Sequence, residues 1–290
     1  MIEYITYPHI DKVKYDRCIS GSKGRRVYAM SWYLDCVTEG WDVLVEDDYS
    51  SVMPLPRNIK FGIPYLYTPA WVQQLGVFSD KDLSQDKLFE FVGRIPKKYL
   101  WMDYQFNSSN RFELSGLRIK KNYLLSLDMT YEQIRKGYNK NRTRILKMDH
   151  SGLKLDKRGQ WDVFFEQYLA QPKPYPLTEA MRSGLKSLCE TRKDQIQLWN
   201  VFSDGIFTGG LIWLQDEFRI TYLVPLTTEL GKQLHVSSFL VDQLIREFQG
   251  KRIVLDFEGS MVRGVEKFYK SFGAKAETYA LMKKRLFVNV

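Results

Sequence analysis

Proton-moving chemistry in this chain points first to the segment Arg252–Ala274. An apolar run there ends in Asp256-Phe257-Glu258, Gly259-Ser260 follows, and a helical pattern begins. Residues two apart in a strand share a face, so Asp256 and Glu258 are expected on one side of a sheet, opposite Phe257. Carboxylates at the carboxyl end of a sheet strand lie where open α/β proteins bind ligands. Glu258, or a water it orients, could take a proton from a nucleophile if its pKa were raised. The alternative is that either carboxylate caps a neighbouring helix or pairs with a surface lysine. Ser260, at the start of the next helix, is a ligand-binding candidate.

A second segment, Tyr222–Ser238, reads as strand, loop, helix. A strand that hands a loop to a helix N-terminus presents unpaired N–H groups and the positive end of a dipole, and both suit a phosphate. Gly231, Lys232, Gln233 and His235 are the binding candidates, with Lys232 as a mobile charge beside the turn glycine. An ordinary connection is the alternative, because one glycine is a weak phosphate signal. Further candidates divide in the same way. Glu132–Arg158 carries nine Lys/Arg against three acids. Its stretch Arg135–Arg158, with Tyr131 and Tyr138 interleaved, is either a nucleic-acid or tRNA face or a solvated helix face. Tyr65, Tyr67, Trp71, Gln73 and Gln74 either line an acceptor pocket or fill core. Cys189 has no histidine near it in sequence, which argues against a nucleophile.

The order YLVPLTTELGKQL, helix, RIVLDFEGS, helix, FYKSFGA resembles the core of the GNAT acyltransferase fold. That family has a pyrophosphate loop of pattern R/Q-x-x-G-x-G/A and a helix ending in Y-x-x-x-G-[FA]. Tyr269-Lys270-Ser271-Phe272-Gly273-Ala274 matches the second pattern. Leu230, Gln233 and His235 stand where the first has its arginine and later glycines, and their side chains would crowd a pyrophosphate lying on the backbone. The tandem layout, the helix YEQIRKGYNKNRTRILK and the phrase LDFEGSMVRGVEKFYKSFGA are similar to the Fem-like branch, which includes peptidoglycan aminoacyltransferases. The resemblance implies two tandem GNAT-like acyl-CoA N-acyltransferase domains. It also implies transfer of an acyl or aminoacyl group from acyl-CoA or aminoacyl-tRNA, as donor co-substrate, to an amine acceptor such as a cell-wall precursor. Glu258 would be the base, and Tyr269 would stand near the leaving group as acid. A binding protein that keeps the fold without turnover, or a basic RNA-binding protein, are the other readings.

The elements that would position these residues are legible in outline. The first half reads as a helix at Val27–Glu39, a hairpin of Trp41–Val45 and Ser51–Leu55 ended by Pro54 and Pro56, and strands at Tyr65–Thr68 and Gln73–Phe78. A helix at Ser84–Gly93 and a strand at Tyr99–Phe106 follow. Thr130 with Gln133 fits a capping box. The second half reads as helices at Trp161–Ala170 and Thr178–Thr191, then a meander of Gln195–Ser203, Ile206–Leu214 and Phe218–Pro225. Next come a helix at Ser237–Gln249, a strand at Arg252–Phe257, a helix at Val262–Phe272 and a strand at Thr278–Phe287. This is a mixed α/β layout with helices on mixed sheets. The looser repeat of the same order in the first half predicts two domains, 1–125 and 126–290. Trp199, Ile212, Trp213, Leu240, Leu244, Val254 and Phe268 fall on inward faces.

Composition bounds the rest. The 290 residues are 44% hydrophobic and 27% charged, which excludes a disordered chain. Forty-three Lys/Arg against 34 Asp/Glu give +9, favouring anionic partners. Three cysteines without a CxxC and three scattered histidines argue against disulfides and against metal. No apolar leader and no span of about 20 apolar residues is present, so a cytoplasmic setting is the expectation.

Overall fold

The structure is a computed structural model that describes residues 1–112, 117–173, 176–259 and 261–285. In chain order the elements begin with β1 (Ile2–Ile5), α1 (Lys12–Gly21), α2 (Ser31–Val37), β2 (Trp41–Glu46), β3 (Ser51–Lys60) and β4 (Ile63–Tyr67). Then come β5 (Phe78–Ser79), α3 (Gln85–Gly93), β6 (Trp101–Gln105), β7 (Arg118–Ser126), α4 (Tyr131–Arg135), α5 (Lys140–Ile145) and β8 (Leu153–Asp156). The rest are α6 (Trp161–Ala170), α7 (Glu179–Thr191), β9 (Ile196–Ser203), β10 (Ile206–Gln215), β11 (Arg219–Thr227), α8 (Glu229–Gln233), α9 (Val236–Phe248), β12 (Val254–Asp256), α10 (Arg263–Lys270) and β13 (Lys275–Arg285). Two compact units result. One is Met1–Lys120 with Thr178–Leu188 and Thr278–Val290, and the other is Lys121–Leu177 with Cys189–Glu277.

In the first unit β2 pairs antiparallel with β1 and β3, β3 with β4, and β4 runs parallel to β6, which pairs antiparallel with β13. The hairpin of β2 and β3 forms as its acidic turn predicts, but Pro54 and Pro56 do not end it. Prolines two apart turn their missing N–H groups to one edge. The pairing of β3 with β5 stops at Val52 and its pairing with β4 begins at Arg57, so that edge has no ladder to lose between them. The Val27–Glu39 helix is cut at Met30, whose ψ of 145° is extended, leaving a 3-10 turn and then α2. Of the strand expected over Gln73–Phe78, only Phe78 with Ser79 forms β5.

The second unit carries the candidate site. Its sheet runs β7-β12-β11-β10-β9-β8, with β11 and β12 parallel and the other pairs antiparallel. The meander of β9, β10 and β11 follows the sequence reading. Helices cover both faces because β10 carries adjacent glycines. A Cβ on Gly209 would meet Val236 Cγ1 of α9 at 2.9 Å, and one on Gly210 would meet Phe164 Cδ2 of α6 at 2.9 Å. Successive strand residues point to opposite faces, so each glycine admits one helix. The predicted capping box is present: Thr130 N–H donates to Gln133 Oε1 at 2.9 Å, and Gln133 N–H to Thr130 Oγ1 at 3.4 Å. Trp199, Ile212, Trp213, Leu240 and Leu244 are buried, while Val254 and Phe268 are half-buried.

Candidate active site

The parallel pairing of β11 and β12 stops at Thr221 opposite Asp256. Strand β12 ends there, while β11 runs on to Thr227 with β10 alone beside it. A register shift against Ile212 and Trp213 bulges β11 at Leu223. The two strands therefore part at their carboxyl ends, as ligand-binding α/β sheets do. Because β12 ends at Asp256, alternation does not carry Glu258 to the face of Asp256, which corrects the sequence expectation. Phe257 leaves the sheet, and Glu258 turns into left-handed backbone, φ 61°, its N–H donating to Asp256 Oδ1 at 2.9 Å. A non-glycine residue held in that region costs about 1–3 kcal/mol, and such strain clusters at functional sites. Asp256, 0% exposed, has a structural duty: it is ion-paired with Arg219 at the start of β11.

Tyr269 reaches the same place from α10. Its ring stacks on Phe257, centroids 4.7 Å apart, and meets Tyr222 edge-on at 6.2 Å. Burial pushes its phenol well above the usual value of 10, and the charges of Glu258 and Asp256 push the same way. The hydroxyl stays protonated across neutral pH. Among the described residues it makes no hydrogen bond to backbone. The structure thus stacks Tyr269 on Phe257, the residue before Glu258, within reach of the Glu258 charge.

Gly231, Lys232 and Gln233 do not join them by any hydrogen bond or ion pair among the described residues. Gly231 N–H donates to Thr228 Oγ1 at 3.1 Å, so it caps its own short helix rather than facing a ligand. A Cβ at Gly231 would lie 1.9 Å from Thr208 O, so glycine is there to let α8 lie against β10. Lys232 is exposed and ion-paired with the likewise exposed Glu229, and Gln233 is exposed. His235 takes left-handed backbone, φ 56°, at the N-cap of α9. Burial lowers its pKa, and Arg142, His150 and Arg144 add to that. Ser260 lies outside the described residues. Tyr65 and Tyr67 line a cavity of about 740 Å³ in the first unit with Trp101, whereas Gln74 is fully buried beside Arg26 and Ser108. No three His, Cys, Asp or Glu side chains among the described residues form a group that could hold a metal.

No family model and no curated protein sequence matches this chain. Solved structures do. The crystal structure of FemX is 10% identical, with 96% of each chain covered and a TM-score of 0.66. A tandem GNAT protein from the clavulanic acid biosynthesis pathway is 11% identical, with 98% of each chain covered and a TM-score of 0.56. L-PGS from Bacillus licheniformis is 13% identical, covering 97% of this chain and 93% of that one, with a TM-score of 0.54. The fold is that of Fem-like, tandem GNAT proteins.

Within this Fem-like fold, Tyr222 meets Tyr269, and Arg142, which the sequence reading counted only within the basic stretch, packs on the neighbouring Phe268 and Phe272. Tyr222, on β11, is buried, and its phenol is raised far above 10 by burial and by Tyr269. Arg142, from α5, is 4% exposed. Its Nε donates to Ser271 Oγ at 3.0 Å, Nη1 donates to Ser238 Oγ, and the guanidinium lies over the rings of Phe268 and Phe272 at 4.6 and 4.3 Å. Helical spacing could have found it: Arg142 continues the buried series Tyr131, Ile134, Tyr138 and Ile145. The basic stretch is therefore not one solvated face. Lys136, Lys140, Arg144, Lys147 and Lys154 are exposed, while Arg142 points inward.

Proposed function

We propose that the parted ends of β11 and β12 are the site of an acyl or aminoacyl transfer to an amine. The observation that carries this reading is the approach of Tyr269 to the Glu258 charge where the two strands separate. An amine nitrogen would attack the donor carbonyl carbon while Glu258, or a water it orients, takes the amine proton. The bond from carbonyl carbon to the leaving oxygen or sulfur would then break, and Tyr269 would hand its proton to the leaving atom. The unpaired edge of β11 beyond Thr221 would offer backbone N–H groups to the carbonyl oxygen.

The raised pKa of Tyr269 favours one donor class over the other. A phenol held well above 10 is a weaker acid than a cysteine-like thiol, near 8.5, so it would protonate an alkoxide more favourably than a thiolate. An oxygen ester such as an aminoacyl-tRNA therefore fits better than an acyl-CoA thioester. The occupied N–H of Gly231 supports the same choice, because a coenzyme A pyrophosphate would need that loop. The amine acceptor would be a cell-wall precursor or another amine-bearing molecule. The test presents amine acceptors with either aminoacyl-tRNA or acyl-CoA and follows amide formation by mass spectrometry. Turnover of the ester, lowered by Tyr269→Phe, is the expected result. Thioester turnover indifferent to Tyr269→Phe refutes the mechanism. The use of the Gly231 amide within the protein also favours a second reading, a binding protein without turnover. Saturable donor binding with no amide formed from any donor would establish it.

A further inference from the structure

Arg142 borders a cavity of about 500 Å³ in the second unit, whose wall includes Asn139, Asn141, Lys267, Lys270 and Ser271. A guanidinium this buried normally has a carboxylate bonded to it. Arg142 bonds to none: the buried Asp242, whose charge reaches it, is itself taken up by Tyr131, Tyr138 and an ion pair with Arg246. Its hydrogen bonds go to the neutral hydroxyls of Ser238 and Ser271, and burial brings its pKa down to about 10. A cation with two neutral hydroxyl partners and two aromatic rings has no anion bonded to it, and the cavity is where one could come from.

The remaining wall has the same sign. Lys267 is exposed, and its ammonium has no hydrogen bond or ion pair among the described residues. Lys270 is paired with Glu266 at 2.6 Å, so these two cancel. Asn139 Oδ1 accepts from Arg142 N–H at 2.8 Å and Asn141 Oδ1 accepts from Arg144 Nη2 at 3.1 Å, so each amide has its NH2 end left to offer. Arg142 and Lys267 thus bring two positive charges to the cavity wall with no anion bonded to either, beside the amide NH2 groups of Asn139 and Asn141.

We infer that the cavity between α5 and α10 binds a phosphate monoester, whose two negative charges match Arg142 and Lys267. A carboxylate or phosphodiester would supply half that charge. Arginine gives the paired N–H donors that phosphate oxygens take, and lysine adds a point charge. The assignment does not depend on acyl transfer, because the wall residues are not Glu258 or Tyr269.

Calorimetric titration of the full chain with methyl phosphate, at low salt and with chloride as control, tests it. Saturable binding at millimolar concentration or below is expected, weakening as the pH falls through about 6, where the ester loses its second charge. Dimethyl phosphate should bind about tenfold more weakly, and Lys267→Ala should lose about tenfold. Lys267 is exposed, so that variant keeps its fold. Arg142→Lys, which retains charge but not the paired donors, should also bind weakly, with circular dichroism confirming that it is folded. Competition by coenzyme A and not by its dephospho form would place the monoester on a nucleotide; if neither competes, a separate small molecule is the ligand, and both results keep the site. No saturable binding, equal affinity for dimethyl phosphate, or unchanged affinity in Lys267→Ala overturns the inference.

Discussion

Replacing Gly231 by alanine separates a packing glycine from a phosphate-cradling one. The new Cβ would sit 1.9 Å from Thr208 O, 2.9 Å from Thr208 C and 3.0 Å from Thr227 Cγ2. Two of these atoms are backbone in the middle of a sheet, so rotating a side chain gives no relief. Helix α8 must move outward. That movement strains two bonds to the same carbonyl, Thr228 N–H at 3.0 Å and Thr228 Oγ1–H at 3.1 Å. Overpacking costs about 1–3 kcal/mol, and each weakened hydrogen bond about 1 kcal/mol. A loss of about 3–5 kcal/mol follows. Gly152→Ala is the control, because it lies in the same unit, has nothing within 4 Å of its Cβ and has no positive φ. It should be neutral or stabilising by up to about 1 kcal/mol. Urea unfolding followed by tryptophan fluorescence reads both, Trp199 and Trp213 being buried in this unit. A Gly231→Ala protein as stable as the parent, yet weakened toward phosphate-bearing donors, would refute the packing argument and restore the loop as a ligand cradle.

Three further outcomes are expected. Asp256→Asn leaves Arg219 without its charge partner in a site where the carboxylate is fully buried, and should cost about 3–5 kcal/mol in urea unfolding. Asp42 is buried, which alone would raise its carboxyl. Hydrogen bonds from Tyr4, Tyr7 N–H and Tyr99, with the charge of Arg57, outweigh that and hold it below its ordinary value. A depressed folded pKa contributes stability above about pH 3.9 that is lost as the pH falls through the folded value, so Asp42→Asn should flatten the acid limb of stability against pH; an unchanged limb would count against it. Glu258→Gln and Tyr269→Phe should each lower turnover at least about a hundredfold with the urea midpoint of Tyr269→Phe nearly unchanged, and equal losses of turnover and stability would mark Tyr269 as packing alone.

The carboxyl-terminal half of the fold was legible because its signals are local. Tight turns at Asp204-Gly205 and 215–217 delimit the meander, and Gly250 and Gly273 both take positive φ where the helices before them stop. The places of Tyr269 and Glu258 in the fold were legible for the same reason, one near a helix end and the other just past an apolar strand. What stayed hidden depends on partners distant in sequence. Strand β1 and helix α1 have weak periodicity, and their places depend on pairing with β2 and packing on β3 and β5. Gly231 looked like a phosphate glycine because its sequence neighbourhood does not show that Thr208 O lies against it. Arg142 was counted with its basic neighbours as part of one face, because its charge outweighed its position on the apolar stripe. The reading Pro54 and Pro56 as strand breakers failed since only the edge they face decides their effect.

Strand β13 has a consequence for how the protein is made. Its pairing with β6 joins Leu281 to Gln105 and Arg285 to Trp101, so the first unit draws a strand from a segment translated about 180 residues later. Synthesis at roughly 5–20 residues per second leaves β6 waiting about ten to thirty seconds with one edge open. During that interval the exposed edge can pair with other chains, which makes the nascent first unit a client for holdase chaperones. A fragment cut at the unit boundary would keep that open edge permanently.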